Sequence, residues 1–202
     1  MKIGIMGGTF NPIHNGHLAL ASEAKKSFGL DEIWFMPSSL PAHKSNLELL
    51  PPKDRLSMAQ HAVKGYKNFV VSSFEIDRPG FTYTADTVVA LIEEYPKHDF
   101  YFIIGGDSLM KFHHWVKPDV ISSHVTLLAA GRNGFSKEEL YKQQANLNQL
   151  FDTKIQFLDL PEINISSSLI RNYIKAGALS EIKSMVPEGV YQYIAENNLY
   201  KE

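Results

Sequence analysis

The chain contains no cysteine. Disulfides, thiolate zinc sites and cysteine nucleophiles are therefore excluded. Nor is there a marked excess of charge: 20 Lys and Arg stand against 22 Asp and Glu, a formal net charge of −2. A broad basic surface for non-specific nucleic-acid binding is missing with it. No apolar run reaches the ~20 residues a membrane-spanning helix requires. The N-terminus opens directly on a strand-like run, so a cytoplasmic chain is expected. Internal repeats, low-complexity tracts and long linkers are absent. What remains is an ordinary globular composition, 44% hydrophobic and 21% charged over 202 residues, enough for a sizeable core in one domain.

Strand-like and helix-like stretches alternate. After Ile3, Ile5 and Met6, the runs 32–37, 68–76, 100–106, 124–131 and 154–160 are short, apolar and rich in β-branched and aromatic residues, which predicts strands. Helical patterns occupy 17–28, 53–66, 84–95, 136–150, 166–176 and 187–198. The stretch 107–122 reads as a short helix, a break before Pro118 and a second short helix. Near-continuous apolar strands separated by helices predict an α/β fold, with a parallel sheet covered on both faces. The expected division is a core over 1–165 and a C-terminal helical segment, 166–202, packed on it as one structural unit. The proline-flanked loop 38–52 is long for an α/β connection, and loops of that length often bind or cover a ligand.

The richest stretch is GGTFNPIHNGH, residues 7–17. Strand, glycine-rich turn and helix N-terminus together aim main-chain N–H groups at a bound phosphate. Gly7 and Gly8 are expected to make the sharp turn and to allow close approach of a ligand, and Thr9 offers it a hydroxyl. His14 and His17 are three positions apart, so a helix beginning near Asn15 would bring both rings to the phosphate side of its first turn. An imidazole that is protonated or donates a hydrogen bond there stabilises charge on a phosphoryl group. A tight turn with a surface histidine pair, or a His-x-x-His metal site, accounts for either feature alone; the two together favour phosphate. The spacing is not the G-x-G-x-x-G of dinucleotide-binding turns.

Three weaker constellations follow. Ser166, Ser167 and Ser168 precede an apolar helix, with Arg171 one turn along, which is either a serine-capped helix with a solvated arginine or a clamp for polyphosphate. Gly105, Gly106 and Asp107 end a strand. The carboxylate there reads as a cap or a ribose contact ahead of a metal ligand. Trp115, beside Phe112, His113 and His114, belongs either to the core or to a stack on a flat heteroaromatic ring. Lys44 and Arg55 are isolated cations near the long loop, and Thr84 and Asp86 sit at a helix start as caps or polar contacts.

Two of these stretches together resemble the signatures of the HxGH nucleotidyltransferase superfamily. His14-Asn15-Gly16-His17 is similar to its (H/T)xGH motif, and ISSSLIR at 165–171 is similar to its ISSTxIR motif, with Ser168 keeping the hydroxyl where threonine is common. More narrowly, PAHK (41–44), DRLSM (54–58), YTADT (83–87), IGGDS (104–108) and Trp115 resemble the bacterial nicotinate-nucleotide adenylyltransferases, in order and over nearly the whole chain. The related pantetheine-phosphate adenylyltransferases are usually shorter and lack the YTADT stretch and this tryptophan.

The resemblance implies a Rossmann-like, doubly wound parallel sheet with a small C-terminal helical subdomain. It implies ATP binding by Gly7, Gly8, Thr9, Phe10 and Gly16, by Gly105 and Asp107, and by Ile165, Ser166, Ser167 and Ser168. His14, His17 and Arg171 would carry the chemistry. The pyridine mononucleotide would meet Thr84, Asp107 and Trp115, with Lys44 and Arg55 near phosphates and Arg132 on the substrate side. The reaction implied joins nicotinate mononucleotide to the AMP part of ATP, giving nicotinate adenine dinucleotide and pyrophosphate, with Mg²⁺ arriving on the ATP phosphates rather than on protein ligands. Expected partners are these small molecules and, at most, further copies of the chain, with no nucleic acid and no membrane. The alternatives are another phosphate acceptor, nicotinamide mononucleotide or phosphopantetheine, or a nucleotide sensor without turnover.

Overall fold

The computed structural model describes residues 1–41, 49–78, 80–130, 134–161 and 163–201. Eight strands are numbered in chain order: β1 (Lys2–Gly8), β2 (Glu32–Pro37), β3 (Leu40–Pro41), β4 (Phe69–Val71), β5 (Phe81–Thr82), β6 (Asp99–Ile104), β7 (Thr126–Ala130) and β8 (Lys154–Leu158). Six form one sheet in the order β4-β2-β1-β6-β7-β8, and every neighbouring pair is parallel. The register sets Ile5 of β1 against Trp34 on one side and Phe102 on the other. β3 and β5 pair separately as a two-strand parallel ladder.

Alternation along the strands divides the interior into two layers. Ile3, Ile5, Phe102, Ile104, Leu127 and Ala129 face one layer, whereas Met6, Ile33, Phe35, Ile103 and Leu128 face the other. The first is covered by α3 (Thr84–Glu94), α4 (Gly106–Lys111), α5 (Pro118–His124) and α6 (Lys137–Phe151), through Val88, Leu91, Leu109, Ile121, Leu140 and Leu147. The second is covered by α1 (Asn15–Phe28) and α2 (Pro52–Val63), through Leu18, Ala21, Ala24, Met58, Ala59 and Ala62. Its cover is completed by α7 (Ser167–Lys175), a 3₁₀ turn (Leu179–Ser184) and α8 (Glu188–Glu196). Ile170, Ile174, Ile182, Val190 and Ile194 of this C-terminal stretch are buried in the same cluster as Met6 and Phe35. Strands covered on both faces explain why the sequence shows continuous apolar runs rather than alternation.

The chain builds outward from β1 to β2 and β4. It then returns to lay β6 beside β1 and builds outward again to β8. The strand order therefore reverses between β1 and β6, and in open α/β sheets the crevice at the carboxyl ends of such a pair is where ligands bind.

One predicted strand is shorter than expected. The run 68–76 pairs with β2 only over Phe69–Val71. Beyond it the chain folds into a local turn, in which the Asp77 N–H donates to the Ser73 carbonyl at 2.9 Å and the Ser73 hydroxyl to the Asp77 carboxylate at 2.6 Å. Short side-chain hydrogen bonds of this kind compete with a ladder, and the paired serines 72 and 73 invite them.

Candidate active site

The sharp turn lies later than the glycines suggest. β1 runs through Gly7 and Gly8, and the left-handed residue is Phe10, with φ of 49°. The glycines are required for close packing instead. A Cβ on Gly7 would lie 3.1 Å from the Phe102 ring, and one on Gly8 would lie 3.2 Å from the Phe10 ring. Phe10, itself buried, sets its edge against His17 with ring centroids 5.1 Å apart.

His14 is the N-cap of α1, so the first turn of the helix carries both histidines. Their rings lie against each other, tilted by 31°, with centroids 3.7 Å apart. The main-chain N–H of His14 donates to Nδ1 of His17 at 3.2 Å. A neutral His17 then carries its proton on Nε2. Burial lowers the pKa of His14 to about 4, so at neutral pH this ring is an uncharged donor. Its Nδ1 is buried without a hydrogen-bond partner. Gly16 makes room for it, since a Cβ there would lie 3.0 Å from that nitrogen.

The C-terminal helices fasten this turn from behind. Ser166 is the N-cap of α7, its hydroxyl accepting from the Leu169 N–H at 3.1 Å. The Ser167 hydroxyl donates to the Pro12 carbonyl at 2.8 Å, and Arg171 Nη1 donates to the Asn11 carbonyl at 2.9 Å. The Asn11 side-chain oxygen accepts from the Tyr200 hydroxyl at 2.9 Å and from the Leu50 N–H at 3.3 Å. Both the main-chain and the side-chain nitrogen of Asn15 donate at 2.9 Å to carbonyls of residues 185 and 184. Residues about 160 positions apart in sequence, Asn11 and Arg171, are thus directly bonded.

These elements open onto one cleft of about 1430 Å³ at the carboxyl ends of β1 and β6. Gly7, Gly8, Thr9, Phe10, Gly16, His14 and His17 line it, and so do Ile165, Ser166, Ser167, Ser168 and Arg171. Gly105, Asp107, Thr84 and Trp115, also singled out by the sequence, line it as well. Gly105 is the N-cap of α4, and the Asp107 carboxylate curls over it, 2.6 Å from where a Cβ would stand. Trp115 is half-buried, edge-on to Phe102 at 6.2 Å and tilted against Phe112 at 5.4 Å. Among the described residues there is no group of three or more His, Asp or Glu side chains able to hold a metal ion. No described helix is long and apolar enough to cross a membrane.

The cytidylyltransferase-like family model matches residues 5–173. A probable nicotinate-nucleotide adenylyltransferase of Lachnoclostridium phytofermentans is 40% identical over 199 residues, spanning 98% of each chain. One of Geobacillus kaustophilus is also 40% identical, over 98% of this chain and 86% of its own. The chain belongs to the cytidylyltransferase-like family, among its nicotinate-nucleotide adenylyltransferases. Its fold is shared by the nicotinic acid mononucleotide adenylyltransferase of Plasmodium falciparum, solved in complex with NaAD, at 23% identity and a TM-score of 0.81 over 98% of this chain and 97% of that one.

The other residues singled out in the sequence either lie outside the described residues or away from the cleft. Lys44 and Arg132 lie outside the described residues. Asp86, expected as a cap or ligand contact, is exposed and pairs with Lys117 at 3.6 Å, away from the cleft. Arg55, expected on the surface or near phosphates, is wholly buried and lies against three main-chain carbonyls instead. Glu75 belongs to none of the motifs in the sequence, yet it joins the site. This carboxyl lines the cleft, accepts from the buried Thr87 hydroxyl at 2.8 Å, and is pushed by burial to a pKa of about 7. The available signal was an acid flanked by Phe74 and Ile76 in an apolar run.

Proposed function

We propose that this chain transfers the adenylyl group of ATP to the phosphate of nicotinate mononucleotide, forming nicotinate adenine dinucleotide and releasing pyrophosphate. The observation that carries this reading is the convergence of HNGH and ISSSLIR on one cleft at the strand-order reversal, joined through Asn11 and Pro12. The names of the relatives at 40% identity supply the acceptor.

The phosphate of the mononucleotide, with a second pKa near ~6, is mostly dianionic at neutral pH. It attacks the α-phosphorus of ATP in line, one P–O bond forms, and the bond to the bridging oxygen breaks with its electron pair leaving on pyrophosphate. No general base is needed, so the site has only to hold two anions in line and stabilise spreading negative charge. His14 and His17 act as N–H donors, and Arg171 and the N-terminus of α7 at Ser166–Ser168 act on the leaving phosphates. Gly105 and Asp107 take the ATP ribose side, while Thr84 and Trp115 take the pyridine, with Lys44 and Arg132 assigned to the same substrate by their motifs. Mg²⁺ comes with ATP, held through its phosphates, where it neutralises their charge. Residues 1–165 form the nucleotidyltransferase core and 166–202 the segment that backs its phosphate side, and the enzyme works with its soluble substrates in the cytoplasm.

Pyrophosphate release from ATP and Mg²⁺, with nicotinate mononucleotide, nicotinamide mononucleotide and phosphopantetheine supplied separately, tests this. Strong preference for the nicotinate form is the expected result. Preference for another acceptor reassigns the substrate, and no release with any of the three leaves a nucleotide sensor.

A further inference from the structure

Among the described residues Arg55 heads the wholly buried side chains by volume, with 0% exposure. It lies in the first turn of α2, and its guanidinium is spent on three carbonyls from three separate places. Nε donates to Leu50 at 3.0 Å, Nη1 to Thr9 at 2.8 Å and Nη2 to Ser39 at 2.7 Å. Thr9 belongs to the turn after β1, Ser39 opens the long loop that follows β2, and Leu50 closes that loop. A planar fork with donors on three sides suits this task, which a single ammonium cannot perform. Among the described residues no carboxylate lies at ion-pair distance from Arg55. A buried cation without a counter-charge is costly to keep.

Arg55 does not line the cleft, but Thr9 does. Its positive charge therefore lies directly behind a wall of the cleft, one hydrogen bond from a residue that faces the ligand. The neighbouring Tyr200 hydroxyl, which bonds Asn11, is held in its neutral form by burial and contributes no compensating charge. An anion bound in the cleft would supply a counter-charge.

We infer that Arg55 is a positioning residue for adenylyl transfer: it fixes Thr9 relative to both ends of the 38–52 loop, and its buried charge is balanced by the bound triphosphate. The inference rests on the proposed binding of ATP beside Thr9. It acts on the ligand through the turn, and so differs from the surface or direct phosphate contact that an isolated cation suggests.

Two variants test it, Arg55→Met and Arg55→Lys, by calorimetric titration with a non-hydrolysable ATP analogue and by steady-state pyrophosphate release. Arg55→Met is expected to raise the Kd of the analogue about tenfold or more per binding site. Arg55→Lys keeps the charge but not the fork, so its Kd stays within about threefold of the parent while kcat falls about tenfold. A role in folding alone would lower the fraction of binding-competent sites and leave Kd unchanged, and that result overturns the inference. Failure of both variants to fold with the analogue present overturns it too. The unaltered protein provides the separate control. If it binds the analogue yet releases no pyrophosphate with any acceptor, the proposed reaction fails, while the Kd comparison still decides the role of Arg55.

Discussion

Asn11, in the wall of the cleft beside the two histidines, is reached by Arg171, Tyr200 and Leu50, whereas Trp115, in the wall that follows β6, is held through ring contacts with Phe102 and Phe112. The first wall is built from main-chain carbonyls and amides pinned by buried and half-buried donors, and the second from aromatic faces and a helix start at Thr84. Phosphoryl transfer tolerates little misalignment of its in-line atoms. A flat ring, by contrast, can be gripped by a slot of modest accuracy. The pinned wall should therefore govern turnover and the aromatic wall should govern substrate affinity.

The sharpest break in that contrast comes from His17→Ala. Turnover should fall about 10²–10³-fold with the fold retained, measured as pyrophosphate release at saturating substrates. Near-normal kcat in a folded variant would remove His17 from the chemistry. Gly16→Ala comes next. Its new Cβ would press on His14 Nδ1 from 3.0 Å, and displacing that ring should lower kcat by about 10–100-fold with little change in either KM. For the second wall, Trp115→Ala should raise KM for the mononucleotide about tenfold, the worth of a lost ring stack, and leave KM for ATP near its starting value. Equal rises in both would erase the distinction between the walls.

Two smaller effects concern stability. Ser167→Ala removes the bond to the Pro12 carbonyl and should cost about 0.5–1.5 kcal/mol in denaturant unfolding. Glu75 has its pKa raised from 4.5 to about 7, so between those values the folded chain holds a proton that the unfolded chain has released. Its contribution is therefore present at low pH and lost as pH rises through about 7. Glu75→Gln should flatten that decline, seen as a smaller drop in Tm between pH 5 and pH 8. His14, with its pKa lowered from 6.5 to about 4, acts in the other direction and makes the fold lose stability as pH falls below 6.5.

Local order was legible in the sequence because its causes are local. The helix start near Asn15, the serine cap before α7 and the two short helices around Pro118 each follow from residues a few positions apart. The parallel sheet with two covered faces followed from apolar runs and helical spacing, and the glycine-rich turn with its two histidines suggested a phosphate site on its own, whereas Ser167 and Arg171 alone read as well as a capped helix with a solvated arginine. What spacing could not convey was the partner of a side chain far along the chain. Arg55 meets Thr9 across 46 positions, a contact created by the docking of α2. The left-handed Phe10 was equally hidden, since a bulky aromatic seldom adopts that conformation and only the surrounding contacts impose it.

The bond between Tyr200 and Asn11 spans 189 positions of sequence. During synthesis Asn11 leaves the ribosome long before Tyr200 has been decoded, so the turn that holds the histidines has only its nearer fastenings, from Leu50 and Arg55, until Arg171 and Tyr200 follow. That wall is then completed only by donors 160 and 189 positions further along the chain. A nascent chain that has not reached Arg171 and Tyr200 carries the HNGH motif without the bonds that tie Asn11.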